Sequence, residues 1–166
     1  MKQHPAKYLS EGGIIAALYV ILTMLSGLFG LSSGPIQIRI SEALCILPCF
    51  TPAAIPGLFI GCLISNILSG AVLWDTLFGS LATLAGAAGT YYLRNKRFLS
   101  SLPPIAANTL ILPPILSYAY GVEYGILFIF LSVFIGEVLS AGVLGQMLYC
   151  AINSKRKSHP SKKNKV

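Results

Sequence analysis

The chain has 166 residues, of which 55% are hydrophobic and only 10% charged, and its mean hydropathy is +0.75. Soluble domains carry about 25% charged residues, so the composition excludes an ordinary soluble domain and specifies an integral membrane protein. The net charge of +7 does not point to nucleic acid, because the basic residues sit in short patches flanking apolar runs, as membrane topology demands.

A helix needs about 20 apolar residues to cross the hydrocarbon core. After a short segment, 1–9, holding Lys2 and Lys7, the first span is expected over 10–31. It carries Gly12, Gly13, Ala16 and Ala17, two offset small-xxx-small pairs that let another helix approach closely. The run is long and lacks a small-x-small exit, so no cleavable signal peptide is expected. Ser32, Ser33, Gly34 and Pro35 then form a turn-rich loop. Ile36, Ile38 and Ile40 alternate with Gln37 and Arg39, the period of an extended segment with one polar face.

The second span, 40–50, is short: as an α-helix it covers only about 16 Å. Glu42 stands in its first turn, and Pro48, Pro52 and Pro56 predict a break near Phe50 to Pro52. Further spans are expected over 53–69, 74–93, 103–120 and 124–152, followed by a basic tail, 153–166, read as disordered. Pro103 and Pro104 suit the first turn of the fifth span, and Pro113 and Pro114 predict a kink within it. Charge decides the parity. Six crossings from a cytoplasmic start place Lys2, Lys7, the Arg94–Arg97 cluster and the tail inside, leaving only Arg39 of the twelve Lys and Arg residues outside. Without a crossing by the short second span, the Arg94 cluster would face outward. The expected fold is therefore an all-α integral membrane bundle of six transmembrane helices with both termini cytoplasmic.

Cys45, Cys49, Cys62 and Cys150 lie in or beside apolar runs, and no His or carboxylate completes a metal set with them. They read as small buried hydrophobes. The polar residues inside the spans carry more information. Glu137 falls near the bilayer middle, Asn108 lies inside the fifth span and Asn66 in the outer third of the third. Glu42, Asp75 and Glu123 map to the outer half, rimmed by Gln37, Arg39, Trp74, Tyr118, Tyr120 and Tyr124. Isolated carboxylates in lipid are costly and face a cavity or a partner. Together these residues predict a carboxylate-bearing pocket open to the outside, with Gln37 and Arg39 on a loop able to cover it. Other roles stay open at this point: Asp75 as a helix cap, Glu123 as a loop residue, Trp74 and the tyrosines as interface anchors, and Arg39–Glu42 as a structural ion pair.

The chain has no G-x-x-x-x-G-K-[ST], and His4 and His159 both lie outside the spans. Neither a P-loop ATPase nor His-based catalysis is expected, and the chain is read as a non-enzyme.

Six short-looped helices, a small-residue-rich first helix and a capping loop resemble the S component of an energy-coupling factor (ECF) transporter. The segments QIRISEAL from Gln37, FTPAAIPGLFIGCLISN from Phe50 and WDTLFGSLAT from Trp74 resemble the queuosine-precursor family, QueT. That resemblance extends from Gly12 to about Tyr149. It implies a substrate-capture subunit in the bacterial plasma membrane that binds no cofactor itself. ATP is used in trans by two ATPase subunits acting through a transmembrane coupling subunit, the T component. The coupling subunit would dock on an A-x-x-x-A-like motif matched here by Gly12, Gly13, Ala16 and Ala17, with Gly in place of the leading Ala. The implied ligand is a queuosine precursor, the aminomethyl-deazaguanine preQ1 or queuine, beneath a lid formed by the first extracellular loop. In this reading Glu137 and Asn108 hold the base edge, and Glu42 or Asp75 neutralises the amine. Asn66, Gln37 and Arg39 shape the lid, and Tyr118 or Trp74 stacks on the ring. The alternatives are an S component for another flat heterocycle, such as a flavin or pterin, a stand-alone small transporter or channel, and a membrane enzyme or scaffold.

Overall fold

In the computed structural model of the chain, residues 5–31, 38–120 and 125–158 are described, and among them every regular element is helical. Helix α1 runs Pro5–Leu28. It begins five residues before the expected span and stops at a glycine-based cap. Gly30 takes φ of 69°, donates to Gly27 O at 3.0 Å, and lets Leu31 N–H reach back to Ser26 O at 2.9 Å. The same motif closes α2, Ala54–Leu68, where Gly70 also has φ of 69° and Ala71 N–H reaches Asn66 O at 3.0 Å. Ile38 N–H donates to Leu31 O at 2.9 Å, a direct bond between the residues on either side of 32–37.

Between α1 and α2 lies a ten-residue 3₁₀ helix, Ile40–Cys49, in place of the expected α-helical span. At about 2.0 Å per residue it extends about 20 Å, against about 15 Å for an α-helix of equal length. Arg39 before it is extended, as the alternating pattern predicts (φ −104°, ψ 99°). The proline-rich turn after it is tied to α1: Thr51 Oγ1 donates to Glu11 Oε2 at 2.7 Å and Tyr8 OH to Pro52 O at 3.3 Å.

Helix α3 is Leu73–Tyr92 and α4 is Leu102–Tyr120, which runs on through Pro113 and Pro114. Helix α5, Ile126–Glu137, passes directly into a π-helical segment, Val138–Leu144, and then α6, Gly145–Ser158. Residues 153–158 are thus helical, where the sequence was read as disordered. Lys155 and Arg156 sit in the last turn, where the helix dipole favours cations.

Small residues set the close approaches. A Cβ added to Gly57 would come within 2.6 Å of Gly12 O, and one on Gly61 within 2.8 Å of Tyr19 Cβ and 3.0 Å of Ala16 O. Gly12 and Ala16 of α1 are therefore packed against α2, whereas Gly13 and Ala17 are exposed, with no neighbouring atom within 4 Å of a Cβ at Gly13. Helices α3 and α4 meet in the same way, Gly86 against Pro104 and Gly89 against Pro103.

Polarity is reversed relative to a soluble domain. Ile14, Leu18, Ile21, Ile64, Leu81, Leu110, Leu127 and Leu131 are exposed, while Ser26, Ser41, Ser65, Ser80, Thr83 and Thr90 are buried. Buried hydroxyls return their protons to carbonyls of the preceding turn, as Ser26 does to Leu22 O at 2.8 Å and Ser80 to Thr76 O at 2.6 Å. Among the described residues, three helical stretches, Pro5–Leu28, Leu99–Tyr118 and Ile126–Arg156, are long and apolar enough to cross a membrane.

The α1–α2 contact makes a direct prediction. Gly61→Leu should destabilise the detergent-purified protein by about 1–3 kcal/mol through overpacking. Gly13→Leu should leave the melting temperature unchanged. Equal effects of the two would contradict this packing.

Candidate functional site

The 3₁₀ helix dictates how the site begins. Side chains three apart eclipse one another in this geometry, so Glu42 and Cys45 share one face of it. Both are buried, Glu42 to 1% exposure. Cys45 Sγ donates to Glu42 Oε2 at 3.0 Å, and the hydroxyl of Tyr19, reaching across from α1, donates to Glu42 Oε1. Asn108 Nδ2, from α4, lies 3.4 Å from Glu42 Oε2 and 2.9 Å from Glu137 Oε1. One amide thus bridges two buried carboxylates on separate elements.

Glu137 is the final residue of α5, where the chain passes into its π-helical segment. Such segments break the regular helical repeat and are frequent at functional sites. Glu137 is buried, yet its Oε2 has no hydrogen-bond partner among the described residues. A buried polar atom left in that state costs about 1–3 kcal/mol, more if charged.

A second group adjoins this one. Asn66 Nδ2 donates to Cys62 Sγ at 3.6 Å, and Thr83 Oγ1 lies 3.4 Å from the same sulfur. Asn66 and Asp75 converge on the bare face of Gly79, where a Cβ would lie 3.3 Å from Asn66 Nδ2 and 3.6 Å from Asp75 Oδ1. Asp75 is buried at the third residue of α3, and Val72 occupies the cap position, so Asp75 is not the helix cap. Arg39, half-buried before the 3₁₀ helix, lies within electrostatic range of Asp75, Tyr19, Cys62 and Glu42. Three buried carboxylates, Glu42, Asp75 and Glu137, are therefore set against one guanidinium in this cluster.

Of the residues singled out in the sequence, the fold brings together Glu42, Asn108, Glu137, Asn66, Asp75 and Arg39. It does not bring in the two aromatics. Trp74 is 54% exposed and stacks on Phe78 at 6.0 Å, and Tyr118 is 84% exposed, positions that suit anchoring at an interface. Gln37, Glu123 and Tyr124 lie outside the described residues. Sequence reasoning missed Tyr19, although a signal was present. It follows Gly12 and Ala16 on the i, i+4, i+7 stripe, and a hydroxyl in mid-span needs an acceptor. Cys45 reads from sequence as a small buried hydrophobe because no metal set accompanies it, and its thiol instead donates to Glu42, three residues before it.

The QueT transporter family model matches residues 9–154. The queuosine precursor transporter QueT of Lactococcus lactis subsp. cremoris (strain MG1363) is 51% identical over 72 residues. That aligned stretch is 43% of this chain and spans only 41% of the relative's length. No solved structure matches the chain. The family match takes in every helix that contributes to the carboxylate cluster, and the chain belongs to the QueT transporter family.

Proposed function

We propose that this protein is the substrate-binding subunit of an ECF-type transporter in the bacterial plasma membrane, importing a queuosine precursor, preQ1 or queuine. ATP hydrolysis is supplied in trans by two ATPase subunits through a transmembrane coupling subunit. The observation that carries the substrate reading is the Glu42–Asn108–Glu137 bridge, with Glu137 Oε2 left without a partner among the described residues. A deazaguanine base presents ring N–H and amino donors along one edge, which a carboxylate accepts in parallel. Its aminomethyl arm is cationic, and the excess of carboxylates over Arg39 supplies the complementary charge. Asn66 and Asp75 complete the polar wall, and Arg39, with Gln37 beside it in sequence, belongs to the loop that covers the ligand. An anionic ligand such as a flavin phosphate is disfavoured by the same charge balance.

In this reading the chain crosses the membrane six times, with the 3₁₀ helix as its short second crossing and both termini cytoplasmic. The coupling subunit docks on the exposed pair, Gly13 and Ala17. Gly12 and Ala16, the other members of the expected motif, are engaged by α2. The apolar exterior permits the subunit to reorient in the bilayer and carry its pocket from one side to the other.

Calorimetric titration of the purified protein with preQ1, queuine, guanine and riboflavin tests the substrate. Tight binding confined to the deazaguanines is expected, and binding of riboflavin alone would overturn the assignment. Glu137→Gln should weaken preQ1 binding by about 10- to 100-fold, the value of one charge-assisted hydrogen bond. Wild-type affinity in that variant would remove Glu137 from the site. Ala17→Trp should abolish cellular uptake while leaving calorimetric affinity intact, whereas Ala16→Trp should impair folding itself. Unimpaired uptake by Ala17→Trp would rule out that face as the coupling surface.

A further inference from the structure

A groove of about 400 Å³ runs along the outside of the last helical stretch, lined by Val138, Gly142, Val143, Gln146, Met147 and Cys150. Its walls are almost wholly apolar. From Val138 to Cys150 it follows twelve residue steps, about 18 Å along a helix, close to half of the roughly 30 Å hydrocarbon core. It starts beside Glu137 and ends at Cys150, whose sulfur accepts from Arg97 Nη2 at 2.6 Å. Gln146, also in the wall, donates to Arg97 O at 2.9 Å and Ser101 Oγ at 2.7 Å, fixing the Arg97 backbone at the groove mouth.

The Arg97 guanidinium lies 5.1 Å from the Phe98 ring and 5.7 Å from the Tyr149 ring. Tyr149 in turn packs on Phe50 at 5.1 Å, and Arg156 sits over Phe50 at 5.5 Å. Arg94 and Lys96 belong to the same end of the molecule, exposed like Arg97. Among the described residues, none of these cations is ion-paired to a carboxylate, in contrast to Lys7, which pairs with Glu11. Aromatic rings position the two guanidiniums but leave their charge uncompensated.

We propose that this groove and its cationic mouth form a binding site for an anionic glycerophospholipid of the adjoining leaflet. One acyl chain lies along Val138–Cys150, and the headgroup phosphate rests on Arg97, with Arg156 and Lys96 adding charge. The length matches one leaflet, the walls are apolar where the chain lies, and the positive charge stands where the phosphate lies. This assignment is independent of which substrate the carboxylate cluster binds.

The test is native mass spectrometry of the full-length, delipidated protein in detergent with added phosphatidylglycerol or phosphatidylcholine of identical acyl chains. Wild type should retain phosphatidylglycerol about fivefold better, since one basic residue near a lipid phosphate contributes about 1 kcal/mol. R97Q should lose that preference and R97K should keep most of it. V143W, which fills the groove from its exposed side, should retain neither lipid. Equal retention of the two lipids by wild type, or unchanged preference in R97Q, overturns the proposal. Should R97Q fail to fold, V143W decides: undiminished lipid retention in it refutes the site. If V143W instead loses co-purification with a coupling subunit while keeping its lipid, the groove is a protein-docking face and the proposal is wrong.

Discussion

Everything in this molecule bends around two carboxylates that water cannot reach. In a protein with an apolar exterior, an ionisable group in the core is retained only when partners within the fold or a ligand compensate its burial. Glu42 takes donors from three elements, Tyr19 on α1, Cys45 on its own helix and Asn108 on α4, and Asn108 extends the network to Glu137. Remove any of these elements and a carboxylate oxygen is stranded in a medium of low dielectric, where the penalty is steep. The arrangement is nevertheless left incomplete at Glu137 Oε2, among the described residues, and incompleteness in so expensive a location is what a receptive site looks like.

Helices can converge on that network only because their backbones approach so closely. Gly57 and Gly61 let α2 lie directly on the carbonyls of α1, and Gly86 and Gly89 accept the prolines that open α4. In lipid no hydrophobic force drives helices together, so dispersion and shape at small residues take over that task. The 3₁₀ helix contributes in a different way. Its longer rise lets ten residues reach as far as about thirteen in an α-helix, and its threefold repeat aligns Glu42 with Cys45.

Much of this was legible in the sequence, for reasons that can be stated. Hydropathy, proline placement and glycine placement marked the helical stretches, because lipid forces each backbone to satisfy its own hydrogen bonds. The rarity of charged and amide side chains within the apolar runs makes Glu42, Asp75, Asn108 and Glu137 stand out, and the fold brings them to two adjoining groups. What escaped was what depends on local geometry. A run of ISEALCILPC carries nothing that distinguishes a 3₁₀ helix from an α-helix, and a thiol within an apolar run does not show in sequence that it donates to a carboxylate. The π-helical segment after Glu137 has no compositional signature either. Two overlapping small-residue pairs on α1 cannot be ranked without knowing which face meets α2. Trp74 and Tyr118 were given to the ligand because aromatics serve equally well at an interface and against a ring, and only exposure separates the two roles.

Helix α1 is unbroken from Pro5 to Leu28, and it carries both the bare face of Gly13 and Ala17 and the Tyr19 hydroxyl that holds Glu42. The two features are separated by less than two turns of one rigid rod. A partner that tilts or shifts α1 from its outer face therefore displaces a donor at the buried carboxylate. Thermodynamic reciprocity then applies: whatever factor partner docking imposes on ligand affinity, ligand occupancy imposes on the affinity for the partner. If Glu42 contacts the ligand and the Gly13–Ala17 face docks the partner, as proposed, Tyr19 is the link through which each site would sense the other.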